Sequence, residues 1–293
     1  MSAWLVLANA NAGSTEQESV AACCDVLRTL GSVEQVATST PEEIDDHLAR
    51  LDGRRLVVAG GDGSVHAAVA ALWRRGELAA TPLGIVPLGT GNDLARTLGL
   101  PLDPAEAARV VDGGTERRLD LVLVDDGAVV VNAAHAGLGA VAAETGAALK
   151  DRLGQLAYPV GALVAGVRER GWELTVEVDG RAVVAGDAVL LAGVGNGRTI
   201  GGGTPLFPSA DPGDGLLDVV VSTAVGSAAR VAFGAALRSG EHVDRDDVLT
   251  ATGREVRISG DPVPHNADGE VSDPVASRTY RVEPGAWTVI APA

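Results

Sequence analysis

Apolar and polar positions along the first third of the chain alternate between a strand-like and a helical period. Trp4 to Ala8 is a short apolar run closed by the turn cluster Asn9-Ala10-Asn11-Ala12-Gly13-Ser14, which reads as a buried strand. Glu16 to Leu30 carries apolar residues at helical spacing, and Val33 to Ala37 returns to strand. Pro41-Glu42-Glu43 sets a proline in a first helical turn and acids near its positive dipole end, opening a helix to Leu51. Leu56-Val57-Val58-Ala59 is strand-like and leads through Gly60-Gly61-Asp62-Gly63-Ser64 into the amphipathic segment Val65 to Trp73. Some thirty residues on, Leu83-Gly84-Ile85-Val86 runs through Pro87-Leu88-Gly89-Thr90-Gly91-Asn92-Asp93 into another helix. Strand–helix alternation to about Arg118 predicts a parallel sheet with helices on its faces.

The pattern changes after Asp120. Leu121 to Val124, Asp125-Asp126-Gly127 and Ala128 to Asn132 read as a β-hairpin, and Trp172 to Val178 alternates with period two before Asp179-Gly180. Asp187 to Val194, Leu216 to Val221, Val248 to Ile258 and Tyr280 to Val282 add strands, with helical patches at Ala140 to Lys150 and Ala228 to Leu237. This half is expected to be mainly antiparallel, a sandwich. No repeat of solenoid length recurs.

A length of 293 residues suits two domains, and 46% hydrophobic content with a mean hydropathy of +0.18 suits a globular protein. No apolar run has the roughly 18 residues of a spanning helix. Leu153 to Val167 comes nearest, but Gln155 and Pro159 interrupt it and Arg152 and Arg168 flank it, so a buried helix pair is expected. Met1-Ser2-Ala3-Trp4 has no basic segment of a signal peptide, so a cytoplasmic protein is expected. Cys23 and Cys24 are adjacent on a helical stretch, where they form no disulfide framework, and the histidines lack zinc-site spacing. A net charge of −16 and a pI near 4.6 argue against nucleic-acid binding and against electrostatic attraction to anionic membranes. Any lipid contact would be apolar and local.

The two glycine turns are the strongest chemical signal. Glycines let the backbone take positive φ and approach a ligand, and a helix starting at Ser64 would aim unpaired N–H groups at a phosphate. Asp-Gly is this chain's habitual turn, occurring seven times, so the motif alone could be ordinary loop chemistry. Its place between strand and helix, with a partner turn in matching position, favours a phosphate cradle. A P-loop is excluded because the only lysine is Lys150, which leaves phosphate charge to backbone N–H groups, Mg2+ and an arginine such as Arg96. Gly137-Leu138-Gly139-Ala140-Val141-Ala142 fits the dinucleotide fingerprint formally but lacks the later acid for a ribose. Asp211-Pro212-Gly213-Asp214-Gly215-Leu216-Leu217-Asp218, after Gly201-Gly202-Gly203, offers oxygen donors suited to Mg2+ or Ca2+, and a solvated acidic turn explains it equally well. His265-Asn266-Ala267-Asp268-Gly269-Glu270 reads first as a hairpin turn, although a carboxylate held beside a tight turn also makes a general base.

Taken together, Gly60 to Ser64, Pro87-Leu88-Gly89-Thr90-Gly91-Asn92-Asp93-Leu94-Ala95, the Gly201 triplet with Asp214-Gly215-Leu216-Leu217-Asp218, and Asp268-Gly269-Glu270 resemble the diacylglycerol kinase catalytic domain family, in its bacterial soluble lipid kinase branch. The resemblance implies an α/β nucleotide domain over residues 1–118, like that of NAD kinases, to which residues 284–293 return, and a β-rich substrate domain over 119–283. It implies an ATP site between them, with Thr38, Gly60, Gly61, Asp62, Gly63, Ser64, Val65, His66 and Thr90 as nucleotide contacts. Asp62, Asp93 and Asp120 would serve the Mg2+ and active-site network, Glu270 would be the base, and Asp211, Asp214 and Leu216 would hold a structural Mg2+. The chain departs from the family pattern at Asn9-Ala10, usually Asn-Pro, at Ser64, usually Thr, and at His66-Ala67, usually Asn-Glu.

The implied activity is ATP- and Mg2+-dependent phosphorylation of a hydroxyl of diacylglycerol or a related lipid, with transient membrane-surface contact. A homodimer is compatible with it. Two alternatives stand beside it: a kinase of a soluble acceptor such as a nucleotide or sugar, and a non-catalytic nucleotide- or lipid-binding protein.

Overall fold

The computed structural model describes residues 2–11, 13–137 and 171–293. They form two compact units, Met1–Leu121 with Pro284–Ala293, and Val122–Glu283. The fingerprint residues beyond Gly137, the helical patch 140–150 and the apolar stretch 153–167 lie outside the described residues.

In the first unit, strands β1 (Ser2–Asn9), β2 (Gly31–Thr38), β3 (Arg55–Gly60) and β4 (Leu83–Pro87) alternate with helices α1 (Ser14–Leu30), α2 (Pro41–Leu48) and α3 (Asp62–Arg75). Helices α4 (Asp93–Thr97) and α5 (Pro104–Gly113) follow. The strands are parallel in the order β2-β1-β3-β4, and the C-terminal end of the chain adds a further parallel strand, Val289 opposite Leu83. The inner strands β1, β3 and β4 are apolar at nearly every position because both their faces are covered, whereas β2 at the edge carries Ser32, Glu34 and Gln35. Trp4, Val6, Ala8, Val57, Ala59 and Val86 pack with Val20, Cys23, Cys24 and Leu27 of α1 and Ala107, Ala108 and Val111 of α5. The intervening Leu5, Leu7, Leu56, Val58 and Ile85 point the other way, toward the face where α3 packs on β3 and α2 on α3. The two cysteines are free thiols of the core.

Helix α2 starts as its sequence requires, with the Thr40 hydroxyl accepting from Glu43 N and the Glu43 carboxylate accepting from Ser39 N at 2.6 Å. It stops three residues before the expected Leu51. There the backbone tightens, Arg50 N bonding His47 O and Leu51 N bonding Leu48 O.

Strands β5 (Thr115–Val124) and β16 (Val275–Ala291) run through both units. In the second unit, β7 (Ala133–Gly137), β10 (Leu191–Gly195), β11 (Leu217–Ser222), β12 (Val248–Gly253), β14 (His265–Ala267) and β15 (Glu270–Val271) make an antiparallel sheet in the order β12-β11-β10-β7-β14-β15. Against it lies a second sheet, in which β13 (Glu255–Val263) pairs with β16 and with β8 (Trp172–Val178), and β8 with β9 (Arg181–Val189). The short β6 (Val129–Val130) forms the expected hairpin with β5. Ala134, Ala136, Ala192, Val194, Val219 and Val221 of one sheet meet Leu174, Val176, Val184, Val256, Ile258 and Tyr280 of the other in one sandwich core. The outer face of the six-stranded sheet is covered by Phe207 and by Phe233 and Leu237 of α6 (Ser227–Ser239).

Two stretches expected as single strands divide where the chain changes sheets. The run Asp187 to Val194 breaks at Leu190, whose N–H bonds Ser222 O, so its halves are β9 and β10. Val248 to Ile258 likewise breaks at Arg254, where the Asp179 carboxylate accepts from Arg254 N and Glu255 N at 3.0 and 2.9 Å. The strand expected at Tyr280 to Val282 is the middle of the 17-residue β16.

Candidate active site

In the first unit, α1 carries the chain from β1 outward to β2, and α2 carries it back to β3 on the other side of β1. The direction of winding therefore changes between β1 and β3. Open parallel sheets bind ligands beyond the carboxyl ends of their strands at such a switch point. The ends are aligned there, with Asn9 opposite Thr38 and Gly60 opposite Pro87.

The two glycine turns leave these ends and pack against each other. Leu88 N donates to Gly60 O at 3.0 Å, and a Cβ built on Gly61 would stand 3.0 Å from Gly89 Cα. One built on Gly89 would come within 2.6 Å of Gly61 Cα. The expectation of positive φ in the first turn is corrected: Gly60, Gly61 and Gly63 all lack it, and Gly61 is extended at φ −86°. What the turns require of glycine is absence of a side chain where backbones meet. The left-handed residue is Asn92, at φ 53°, whose Oδ1 accepts from Gly89 N at 2.9 Å and whose Nδ2 donates to Gly89 O at 2.6 Å. Asparagine tolerates that conformation and here closes the loop with its own amide.

Helix α3 begins at Asp62, two residues before the expected Ser64, with Ser64 N and Val65 N bonding Gly61 O. The first N–H groups of a helix have no intrahelical acceptor and carry the positive end of its dipole, which suits a phosphate. Asp62, half-buried at the first helical position, accepts from Leu94 N at the start of α4 through Oδ1 at 3.2 Å. That bond joins the helices that follow the two turns. Thr90 is exposed on the second turn, Asp93 is buried, and the exposed Arg96 donates Nε to Gly91 O at 3.0 Å.

The remaining expected residues of this unit lie in or beside its packed parts. Thr38 is buried at the end of β2, where its carbonyl accepts from Ala10 N at 2.9 Å. Val65 belongs to the core face of α3, with His66 half-buried beside it. Asp120, 1% exposed, holds the returning strand: its carboxylate accepts from Gly285 N at 2.7 Å and its carbonyl from Trp287 Nε1 at 3.0 Å.

Glu270 and the acidic loop belong to the second unit. Glu270 is exposed at the start of β15, paired with Ala267 across the Asp268-Gly269 turn, whose φ values of 48° and 97° are those of a tight hairpin. In the acidic loop, Gly213 N bonds Asp211 Oδ1 at 3.1 Å, Asp214 N bonds Asp211 O at 3.3 Å, and Leu216 N bonds Asp214 Oδ1 at 2.9 Å. Burial and the charge of Asp214 push the Asp218 carboxyl up to about 6. Among the described residues no three His, Cys, Asp or Glu side chains converge on one point, so a cation here would take main-chain oxygens as well.

Residues 3–124 match the diacylglycerol kinase catalytic domain, and residues 132–291 match the YegS C-terminal NAD kinase beta sandwich-like domain. A protein named "Probable lipid kinase YegS-like" from Stenotrophomonas maltophilia is 37% identical over 251 residues, 81% of this chain and 79% of its own. The chain belongs to the diacylglycerol kinase family of lipid kinases. A diacylglycerol kinase of Mycobacterium tuberculosis is 34% identical over 81% of this chain and 76% of its own. The crystal structure of a diacylglycerol kinase from Bacillus anthracis shares the fold, with a TM-score of 0.74 over 98% of this chain and 96% of that one, at 23% identity.

Two side chains that hold the site's turns in place carry no strong signal in the sequence. Asn92 counted only as part of the second turn, although an asparagine between glycine and a helix start is a signal for a left-handed residue. Asp268 counted only as half of an Asp-Gly turn. Its carboxylate in fact accepts from Val131 N, Asn132 N and Ala133 N, at sequence separations of 135 to 137 residues that no local pattern reveals.

Proposed function

We propose that this lipid kinase transfers the γ-phosphoryl group of ATP to a hydroxyl of diacylglycerol or a close relative. The observation that carries the reading is the pair of glycine turns at the switch point, packed backbone to backbone and joined by Asp62 to Leu94 N. Such a pair can cradle a polyphosphate without a lysine, through N–H groups at the start of α3 and the exposed guanidinium of Arg96. Phosphoryl transfer asks chiefly for positioning and charge stabilisation. Asp62 and Asp93 would orient the reacting groups, and Glu270 would take the proton from the attacking hydroxyl.

The family resemblance also implies Mg2+, which when bound neutralises charge on the phosphates. At the acidic loop the donors fit such an ion: the Asp211 and Leu216 carbonyls and the Asp214 carboxylate are hard oxygens, and a cation there would offset the burial and the Asp214 charge that together raise Asp218. Asp214 would hold it through the carboxylate and fix the loop. No helix among the described residues is long and apolar enough to cross a membrane, and with a net charge of −16 the encounter with a lipid surface would be local and apolar.

The test is a labelled-ATP assay with 1,2-dioleoylglycerol in detergent micelles, run beside glycerol, nucleosides and sugars. Labelled phosphatidic acid is expected. Labelling only of a soluble alcohol would make the chain a kinase of another class, and ATP binding with no acceptor-dependent ADP release would make it a binding protein.

A further inference from the structure

Glu270 stands on poor footing for a catalytic group. Its strand, β15, is two residues long, forms the outer edge of the six-stranded sheet, and is exposed at both positions. A base must be held within about 0.5 Å of its productive position, and an edge strand of that length does not do so by itself.

The hairpin turn beside it is fastened to the sandwich by something the turn does not need. A two-residue turn with positive φ at both positions is satisfied by asparagine or glycine as well as by aspartate. At Asp268 the charge is used elsewhere. Oδ2 accepts from Val131 N at 2.6 Å, and Oδ1 accepts from both Asn132 N and Ala133 N at 3.0 Å. Its own N–H returns a bond to Ala133 O at 3.0 Å, and Gly269 N donates to Asn266 Oδ1 at 2.9 Å. Three successive amides converging on one carboxylate are charge-assisted bonds, each about twice as strong as a neutral one. The segment they grip is itself fixed: Asn132 O accepts from Asn196 N and Gly197 N, both at 2.8 Å, and Asn132 Nδ2 donates to Thr199 O at 2.9 Å.

We propose that Asp268 is the positioning residue for Glu270, its carboxylate bolting the hairpin to residues 131–133 so that the base two positions on is held in place. This rests on the reading of Glu270 as base. Asp268 touches backbone amides and acts only through Glu270.

The experiment is a double-mutant cycle of Asp268→Asn and Glu270→Gln, assayed with ATP and dioleoylglycerol micelles, with amide hydrogen exchange measured on each protein. Asparagine keeps the turn and one acceptor oxygen but loses the charge. Asp268→Asn is expected to lower kcat about 10- to 100-fold with the KM for ATP unchanged, the cost of a displaced catalytic group. Exchange should quicken at Val131 to Ala133 and not across the rest of the sandwich. In the Glu270→Gln background the same substitution should cost nothing further. Turnover within twofold of wild type in Asp268→Asn, or an equal loss in both backgrounds, would overturn the proposal and leave the base assignment standing. Full turnover in Glu270→Gln alone would overturn the base assignment, and this proposal with it. Should Asp268→Asn fail to fold, Asp268→Glu, which keeps the charge but shifts the carboxylate by one methylene against Val131 N to Ala133 N, is held to the same criteria.

Discussion

Asp62 Oδ1 accepts the amide of Leu94 at 3.2 Å, so one carboxylate sits at the first position of α3 and also caps the start of α4, 32 residues away. The same side chain thereby holds the two glycine turns in register, and in the proposed reading it also brings a negative charge to the phosphates and their counter-ion.

Charge and position can be separated at that residue. An asparagine side chain would still offer Oδ1 to Leu94 N, so Asp62→Asn should fold with a Tm within a few degrees of wild type while kcat falls at least about 100-fold. Asp62→Ala removes the bond as well and should lose about 1 kcal/mol of stability in addition. Thermal melts and steady-state kinetics on both variants check this; near wild-type turnover in Asp62→Asn rejects a catalytic role for the charge.

Glycines of the turns should respond differently to alanine. A Cβ on Gly89 would meet Gly61 Cα at 2.6 Å and Asn92 Oδ1 at 3.0 Å, so Gly89→Ala should force the turns apart, cost about 1–3 kcal/mol and raise the KM for ATP. At Gly63 a Cβ meets nothing within 4 Å, and the residue lies in a helix with ordinary φ. Gly63→Ala should therefore be neutral or add up to about 1 kcal/mol. Equal destabilisation by the two substitutions, measured by denaturant unfolding, would contradict the packing role.

This contrast marks what could be read from the residues in order. The parallel sheet was legible because β1, β3 and β4 are short apolar runs ending in turns, and the two glycine turns because each lies between strand and helix. Positive φ at Gly60 to Gly63 was not a safe inference, since glycine signals close approach as readily as an unusual dihedral. The break at Leu190 was hidden because the chain stays apolar as it passes between two packed sheets, and the break at Arg254, in a charged stretch, is set by the Asp179 carboxylate 75 residues away. Asp268 was hidden for the same reason: its partners lie more than 130 residues away.

Acid should weaken the sandwich through two buried histidines. Burial pushes His135 down to about 4, and burial followed by the Arg278 charge does the same to His265, whose Nδ1 lies 2.8 Å from the Tyr280 hydroxyl. An unfolded histidine titrates near 6.5, so between about pH 6.5 and 4 the unfolded chain holds protons that the folded one excludes. Stability is complete above that window and is lost as pH falls through it, by up to a few kcal/mol per histidine. Chemical unfolding of wild type and His265→Gln at pH 7 and pH 4.5 isolates the effect. The fall between the two pH values should be smaller in the variant, and an equal fall in both assigns the acid sensitivity to other groups.

The acidic loop yields a prediction about Mg2+ that does not depend on turnover. Asp214→Ala removes the acceptor for Leu216 N along with any carboxylate ligand, so a lower Tm alone would say only that a turn has been lost. The informative quantity is the difference between melts in Mg2+ and in chelator, without nucleotide. A ligand at 100 times its Kd stabilises the state that binds it by about 2.7 kcal/mol, several degrees in a unit of this size. Wild type should gain that increment and Asp214→Ala should not. Asp218→Asn should behave in the opposite sense in chelator, because it removes a partly buried charge that Asp214 repels, and should melt higher than wild type there. Added Mg2+ should then narrow the gap, since in wild type the cation itself offsets that repulsion. If Asp214→Ala gains as much from Mg2+ as wild type does, the stabilising ion binds elsewhere and the loop is a solvated acidic turn.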